Sequence, residues 1–231
     1  LMRFGKVFQQ TYTRFLDLKI AEAQARESQI QAALERVRAR SMGMQKSNEL
    51  IGVVREIGKG IHELGIQIHY SQIFTDYTYD PKTGINIWVD VAGLNYLEKF
   101  HIPYVDHLIT QRFYNPLNEG LNFFGNQFSK SEKDSYFKLL FERSDLSRIP
   151  EKRKELILKA PGWTRFTVIL ADSSLNFGRY NLEKFTEEEK EVFQRFGKVF
   201  GQAYTRFLDL QKAEAQAREA KIETALEKVR S

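Results

Sequence analysis

One stretch of this sequence is written twice. Residues 3–39 read RFGKVFQQTYTRFLDLKIAEAQARESQIQAALERVRA, and residues 195–231 read RFGKVFGQAYTRFLDLQKAEAQAREAKIETALEKVRS. The offset is 192 residues throughout, without a gap, and 27 of the 37 positions are identical. Both copies lack proline, keep their glycines near the start, and are rich in residues that favour helix. Two helices of one core face different neighbours and have no reason to match so closely. The duplication therefore predicts a tandem array with a period near 192 residues. On that reading Phe4 to Phe15 is the tail of a preceding domain, and coding sequence upstream of Leu1 is expected.

Within the first copy, Leu16, Ile20, Ala23, Glu27, Ile30, Leu34 and Val37, followed by Met44, advance in steps of four and three, with Glu27 the polar slot. The second copy gives Leu208, Lys212, Ala215, Glu219, Ile222, Leu226 and Val229. A seam repeating every 3.5 residues is a coiled-coil pattern and needs a partner helix. The simplest partner is the same helix of a second chain, so a parallel homodimer is expected. A helix from Arg3 to Gln45 would be roughly 60 Å long. The start of each copy differs from its end. Phe4, Val7, Phe8, Tyr12 and Phe15 form a wide apolar stripe, as do Phe196, Val199, Phe200, Tyr204 and Phe207. Each helix is thus expected to pack its start on a domain and send its end out as a coiled coil. Two ordinary amphipathic helices of one bundle are the alternative. Polar or small seam positions such as Ala23, Glu27, Lys212 and Glu219 predict a weak seam with two arrangements close in energy, which a signal relay requires. Leucine at Glu27 or Glu219 is expected to tighten the dimer.

Removing both helices leaves about 140 residues, enough for one core. A hydrophobic content of 42% with 13% aromatic residues predicts a folded domain. The absence of cysteine excludes disulfides, thiolate metal sites and cysteine-linked chromophores, and fits a cytoplasmic location. No apolar run approaches the ~20 residues of a membrane span. The net charge of +5 is concentrated in residues 3–40, with eight Lys/Arg against four Asp/Glu. An excess on one helix reads as a solvated coiled-coil exterior rather than a nucleic-acid face, although nucleic-acid binding stays open as an alternative.

Between the copies, Ser47 caps a helix carrying Leu50, Ile51, Val54, Ile57, Ile61 and Leu64 to about Gly65. Residues 66–79 and 85–92 alternate as two strands around the turn Asp80-Pro81-Lys82-Thr83-Gly84. From Leu94 to Asn118 the pattern is mixed, with a helix expected near Val105–Tyr114 between Pro103 and Pro116. A strand over 121–128, a helix after Ser131 and a helix opened by Pro150 follow. Residues 163–171 and 174–180 form a second hairpin, and Thr186-Glu187-Glu188-Glu189 launches the last helix with a capping box. Hairpins at both ends predict an α+β fold, an antiparallel sheet of about five strands with helices. The expected organisation is a linker helix over 1–45, a domain over 46–195, and a last helix over 186–231 that continues into the next linker.

This order of elements resembles the GAF domain, a sensory fold related to PAS domains. The flanks FGKVFGQAYTRFLDLQKAEAQAREAKIETALEKVR and LERVRARSMGMQKSNEL look like linkers between GAF-like repeats of multidomain bacterial sensors, and HIPYVDH (His101–His107) and the 163–180 hairpin are similar to segments of them. The resemblance implies a repeat that dimerises in parallel and relays conformational change to an output domain such as a histidine kinase, a cyclase or a transcription factor. It implies no particular ligand: the cysteine of bilin-attaching members and the NKFDE-type pattern of cyclic-nucleotide binders are both missing.

Catalytic patterns are few. His62-Glu63 begins like a zinc-protease helix, but His69 comes seven residues later, which breaks the required spacing. His101, Asp106 and His107 are ligand types for a divalent metal, but a helix start explains them as well. No phosphate loop, GxSxG or GxGxxG is present, so neither an enzyme nor a metal site is expected. Tyr70, Phe74, Trp88 and Trp163 on strands, with His101 adding a polar contact, are the candidate lining of a small-molecule pocket. A plain aromatic core, and a structural spacer that only dimerises, are the alternatives.

Overall fold

The computed structural model describes residues 2–75, 83–91 and 96–230. Helix α1 (Met2–Met42) leads through a 3₁₀ turn (Ser47–Glu49) into α2 (Leu50–Glu63). Strands β1 (Tyr70–Thr75), β2 (Ile85–Val91) and β3 (Tyr96–Ile102) follow, then α3 (Leu108–Asn118), β4 (Phe123–Ser129), α4 (Lys130–Arg143) and α5 (Glu151–Lys159). Strands β5 (Gly162–Ile169) and β6 (Ser173–Arg179) precede the long α6 (Glu187–Arg230). The six strands form one sheet in the order β3-β2-β1-β6-β5-β4, every neighbour antiparallel. This is an α+β fold in three layers. Helices α1, α2 and α6 cover one face of the sheet, and α3, α4 and α5 cover the other.

Local chemistry starts α6 where the sequence indicates, whereas the expected cap at Ser47 is not formed, since Ser47 opens the 3₁₀ turn and α2 follows Glu49, and α4 begins at Lys130, before Ser131. Thr186 Oγ1 accepts from the Glu189 amide at 3.2 Å, and the Thr186 amide donates back to the Glu189 carboxylate at 2.8 Å. Ser129 and Glu132 make the same reciprocal cap on α4, satisfying amides that a helix start leaves open. Strand β3 falls within the stretch that the sequence pattern left mixed, and it raises the strand count from about five to six. It is an edge strand, and its Glu98 and Lys99 interrupt the apolar alternation, as charges on an edge commonly do. Pro116 lies inside α3, near its end, rather than bounding it. The first strand is shorter than expected, because Ile66 and Ile68 precede it and join the core under α2. Residues 76–82, which include most of the expected turn at Asp80, lie outside the described residues, as do 92–95.

Helix α6 lies across β5 and β6. Phe193 stacks on Phe177 with ring centroids 4.0 Å apart, and Gly197 admits Val168 so closely that an added Cβ would sit 2.6 Å from it. Helix α1 then packs on α2 and α6 together. At Gly60 of α2 an added Cβ would meet Phe196 of α6 at 3.1 Å and Ala33 of α1 at 3.4 Å, so this glycine lets the three helices close on one another. Helices α1 and α6 run parallel. Arg26 reaches Glu188, Arg195 grips Glu27 with two bonds of 2.6 and 2.8 Å, and Gln211 bonds the carbonyl of Gln45.

The second half of α1 is therefore part of the core. Val37 is completely buried, and Ile30, Leu34 and Met44 are nearly so. The expected domain boundary at residue 45 runs through this core.

Burial divides the two sequence copies in opposite ways. In the second copy Phe200, Tyr204 and Phe207 are at most 5% exposed, whereas their counterparts Phe8, Tyr12 and Phe15 are 71%, 53% and 52% exposed. In the first copy Ile30 and Leu34 are 5% and 4% exposed, whereas Ile222 and Leu226 are each 53% exposed. The start of α6 packs on a domain and its end leaves it, as the sequence predicts for that helix.

Candidate functional site

Strand parity sorts the sheet into two chemistries, because successive side chains point to opposite faces. On β5, Phe166 and Val168 face α6, while Trp163, Arg165 and Thr167 face the layer of α3, α4 and α5. On β1, Ile73 faces α2, while Tyr70, Gln72 and Phe74 face the opposite layer. There the sheet and helices enclose a cavity of about 70 Å³, walled by aromatic and aliphatic side chains.

Its floor is organised by Tyr70. The Tyr70 ring lies over Gly178, where an added Cβ would sit 1.9 Å from the ring, so only glycine leaves room. Its hydroxyl accepts a hydrogen bond from Trp163 Nε1 at 2.6 Å. Tyr180 packs on Tyr70 at 5.6 Å, and Tyr136 stacks on Trp163 at 6.4 Å. Burial pushes the hydroxyls of Tyr70, Tyr136 and Tyr180 above the ordinary phenol range, so all three stay neutral at physiological pH. Beside this floor, Thr167 donates to Asn176 at 2.7 Å and Asn176 donates to Ser174 at 3.1 Å.

Arg165 is the charged group that the sheet itself contributes to the site. It is 4% exposed. Its guanidinium lies 5.2 Å from the Trp163 ring, 5.4 Å from Phe113 and 5.7 Å from Phe128. One Nη donates to Asn126 at 3.3 Å, and its buried Nε has no hydrogen-bond partner among the described residues. Burial lowers its pKa. The other buried arginine of the sheet, Arg179, is held quite differently. It donates to the carbonyls of Gln67 and Lys184, pairs with Glu189 of α6, and stacks on Phe185. Arg179 thus fastens the sheet to the first turn of α6. Lys133, also fully buried, donates to Asp134 and to the carbonyl of Ile157.

Of the five expected pocket residues, Tyr70, Phe74 and Trp163 line the cavity. Trp88 and His101 do not. Trp88 is out of phase with Ile85, Ile87 and Val89, so it lies on the α2 side of the sheet, under Lys99. His101 is out of phase with Phe100 and Ile102; it is exposed, with its ring 3.3 Å from Asn86 and its amide bonded to Asp145. Sequence reasoning missed Arg165. The signal was present, since a residue two places after an inward Trp163 on one strand shares its face.

The suspected metal trio does not converge. His107 caps α3, its Nδ1 accepting from the Ile109 amide at 3.1 Å, and Asp106 binds Gln111. No group of three metal-ligating side chains occurs among the described residues.

The expected dimer seam is divided. Ile30, Leu34 and Val37 are covered by α2 and α6 of their own chain, so they are not available to a second chain. Glu27 is not a vacant seam slot either, because Arg195 holds it. That contact pulls its carboxyl down to about 2, with Gln31 adding a second hydrogen bond. Leu16, Ile20, Ala23, Ala215, Glu219, Ile222 and Leu226 are exposed, and Leu208 is partly buried. The side chains of Phe4, Val7 and Val229 lie outside the described residues.

No family model matches the sequence, and no curated protein matches it. Among solved structures, a bacteriophytochrome from the photosynthetic bacterium R. palustris aligns with a TM-score of 0.48 at 9% identity, over 84% of this chain and 40% of that one. The present chain thus spans well under half the length of that protein. The phycoerythrobilin-bound GAF domain of a cyanobacterial phytochrome aligns with a TM-score of 0.45 at 10% identity, over 79% of this chain and 95% of that one. No helix among the described residues is long and apolar enough to cross a membrane.

Proposed function

We infer that this chain is a sensory and signal-relay module of a larger bacterial signalling protein, a binding unit rather than an enzyme. It would work as a parallel homodimer, joined through its long helices to neighbouring GAF-like repeats and an output domain. One observation carries this reading. Alternate residues of β5 reach the cavity and α6, so Trp163 and Arg165 line the site while Phe166 and Val168 touch the helix that leaves the domain. A change in what the cavity holds has a path of one strand's thickness to α6. Packed interiors pass on such shifts because they repack between discrete arrangements instead of deforming smoothly.

The sequence has no cysteine, so Ile222→Cys accepts one nitroxide per chain. The inter-chain spin distance is then compared between this background and the same chain carrying Ile157→Phe, which fills the cavity. A relay moves the distance distribution. An unchanged distribution identifies a dimerisation spacer, and the absence of any inter-chain coupling removes the dimer.

A further inference from the structure

Among the described residues, the cavity lining holds two guanidinium groups, Arg153 and Arg165, and no acidic residue. Arg153 bonds the Tyr180 hydroxyl. Arg165 is bound only on one side. Aromatic rings stack around it, Asn126 takes one Nη proton, and Nε–H is buried without a partner among the described residues. A buried charge without a counter-charge is strongly disfavoured, and the paired Arg179 on the neighbouring strand shows how this sheet balances one when the balance is internal. At Arg165 no balancing group is present among the described residues, and the vacant donor belongs to a residue lining the cavity.

We propose that the cavity receives a small monocarboxylate, whose two oxygens engage the guanidinium of Arg165 and whose short apolar tail fills the aliphatic walls. Three features select this class. A guanidinium presents parallel donors that match the two oxygens of a carboxylate. Most of the remaining wall is aliphatic and aromatic, which suits a short apolar tail better than the further charged oxygens of a phosphate. The volume sets the size. A cavity of about 150 Å³ holds benzene, and this one is about 70 Å³, so acetate and propionate fit while benzoate does not. Pockets for cofactor-sized ligands begin at about 300 Å³. This assignment rests on the reading of the domain as a sensor, but its test is separate. A chain that binds propionate without moving the Ile222 label keeps the site and loses the relay; a chain whose label responds to Ile157→Phe but binds no carboxylate does the reverse.

The experiment is a titration of the whole chain with sodium acetate, propionate, benzoate and phosphate at constant ionic strength, read by melting temperature. In parallel, the Arg165 Nε–H resonance is followed in ¹⁵N-labelled protein. Acetate and propionate should raise the melting temperature in a saturable way and shift that resonance. Arg165→Met should melt higher than the parent without ligand, since it removes an uncompensated buried charge. It should also bind at least ~10-fold more weakly, as expected for loss of a charge-assisted hydrogen bond. The proposal is overturned by a parent chain that responds to none of the carboxylates. Phosphate acting in their place, benzoate binding as well as propionate, or an Arg165→Met chain that keeps the full response would each overturn it too. The resonance shift in the parent decides the matter even where the variant folds poorly.

Discussion

Asp90 shows how one carboxylate can work against the fold it sits in. It lies on the α2 side of β2, beside Ser71, where an added Cβ on Gly58 would come within 2.7 Å of it. Burial raises its pKa to about 6, against an ordinary value of 3.8, and Arg55 only partly opposes this. The fold therefore prefers the protonated form. Stability falls as pH rises from about 4 to about 6, and the deficit persists above. Asp90→Asn should raise the melting temperature at pH 7.5 and change it little below pH 4; an equal effect at both would show that ionisation is not the cause. Glu27 has the opposite sign. Its carboxyl is depressed to about 2 from 4.5 by Arg195 and Gln31, so its contribution is complete above pH 4.5 and is lost as pH falls through about 2. A melting series should find Glu27→Gln less stable than the parent at pH 6, with the gap narrowing below pH 4.5. A constant gap would point to packing instead. At this scale the sequence was half legible. Alternation along β1 and β5 puts Tyr70, Phe74 and Trp163 on the cavity side of the sheet. The same alternation, applied to β2 and β3, excludes Trp88 and His101 and adds Arg165. What no spacing contains is the lack, among the described residues, of a carboxylate paired with Arg165, since that depends on three helices arriving from elsewhere in the chain.

Among the elements, identical residues have been given unequal work. Phe8 and Phe200 occupy the same place in the two sequence copies, yet Phe200 is fully buried under the helix layer and Phe8 is mostly exposed. Phe200→Ala should cost about 3–5 kcal/mol of unfolding free energy. Phe8→Ala should stay within about 0.5 kcal/mol. Urea denaturation of the two variants checks this, and equal costs would mean that α1 begins against something in solution that one chain does not supply. Most elements were readable from local signals, because caps such as Thr186 with Glu189 and apolar periods such as that of α2 act over a few residues. Strand β3 was not, since its place at the sheet edge is fixed by pairing with β2 rather than by its own pattern. The fate of Ile30, Leu34 and Val37 was also hidden. A heptad seam predicts a helix partner but does not say whether that partner is α6 of the same chain or a second chain.

For the whole molecule, the exposed ends of the long helices are where the proposed dimer is tested. Ile222 and Leu226 lie uncovered on α6, and Leu208 is partly covered. A helix with such a stripe gains little from facing water. The chain carrying Ile222→Lys and Leu226→Lys should sediment as a monomer at concentrations where the parent is a dimer. If both sediment alike, the second half of α6 is not the contact between chains. The duplication was fully legible from sequence. The way it is used, with opposite halves buried in opposite copies, emerged only once the helices were placed side by side.

The clasp between Glu27 and Arg195 also fixes a length. Those residues are 168 apart in the chain, whereas Glu27 and its twin Glu219 are 192 apart, a difference of 24 positions. Along a continuous helix that difference is ~36 Å. Units strung end to end through this rod would be spaced by that pitch, like beads on a stiff wire. The ruler is the helix itself, and its graduation is set by which glutamate each arginine holds.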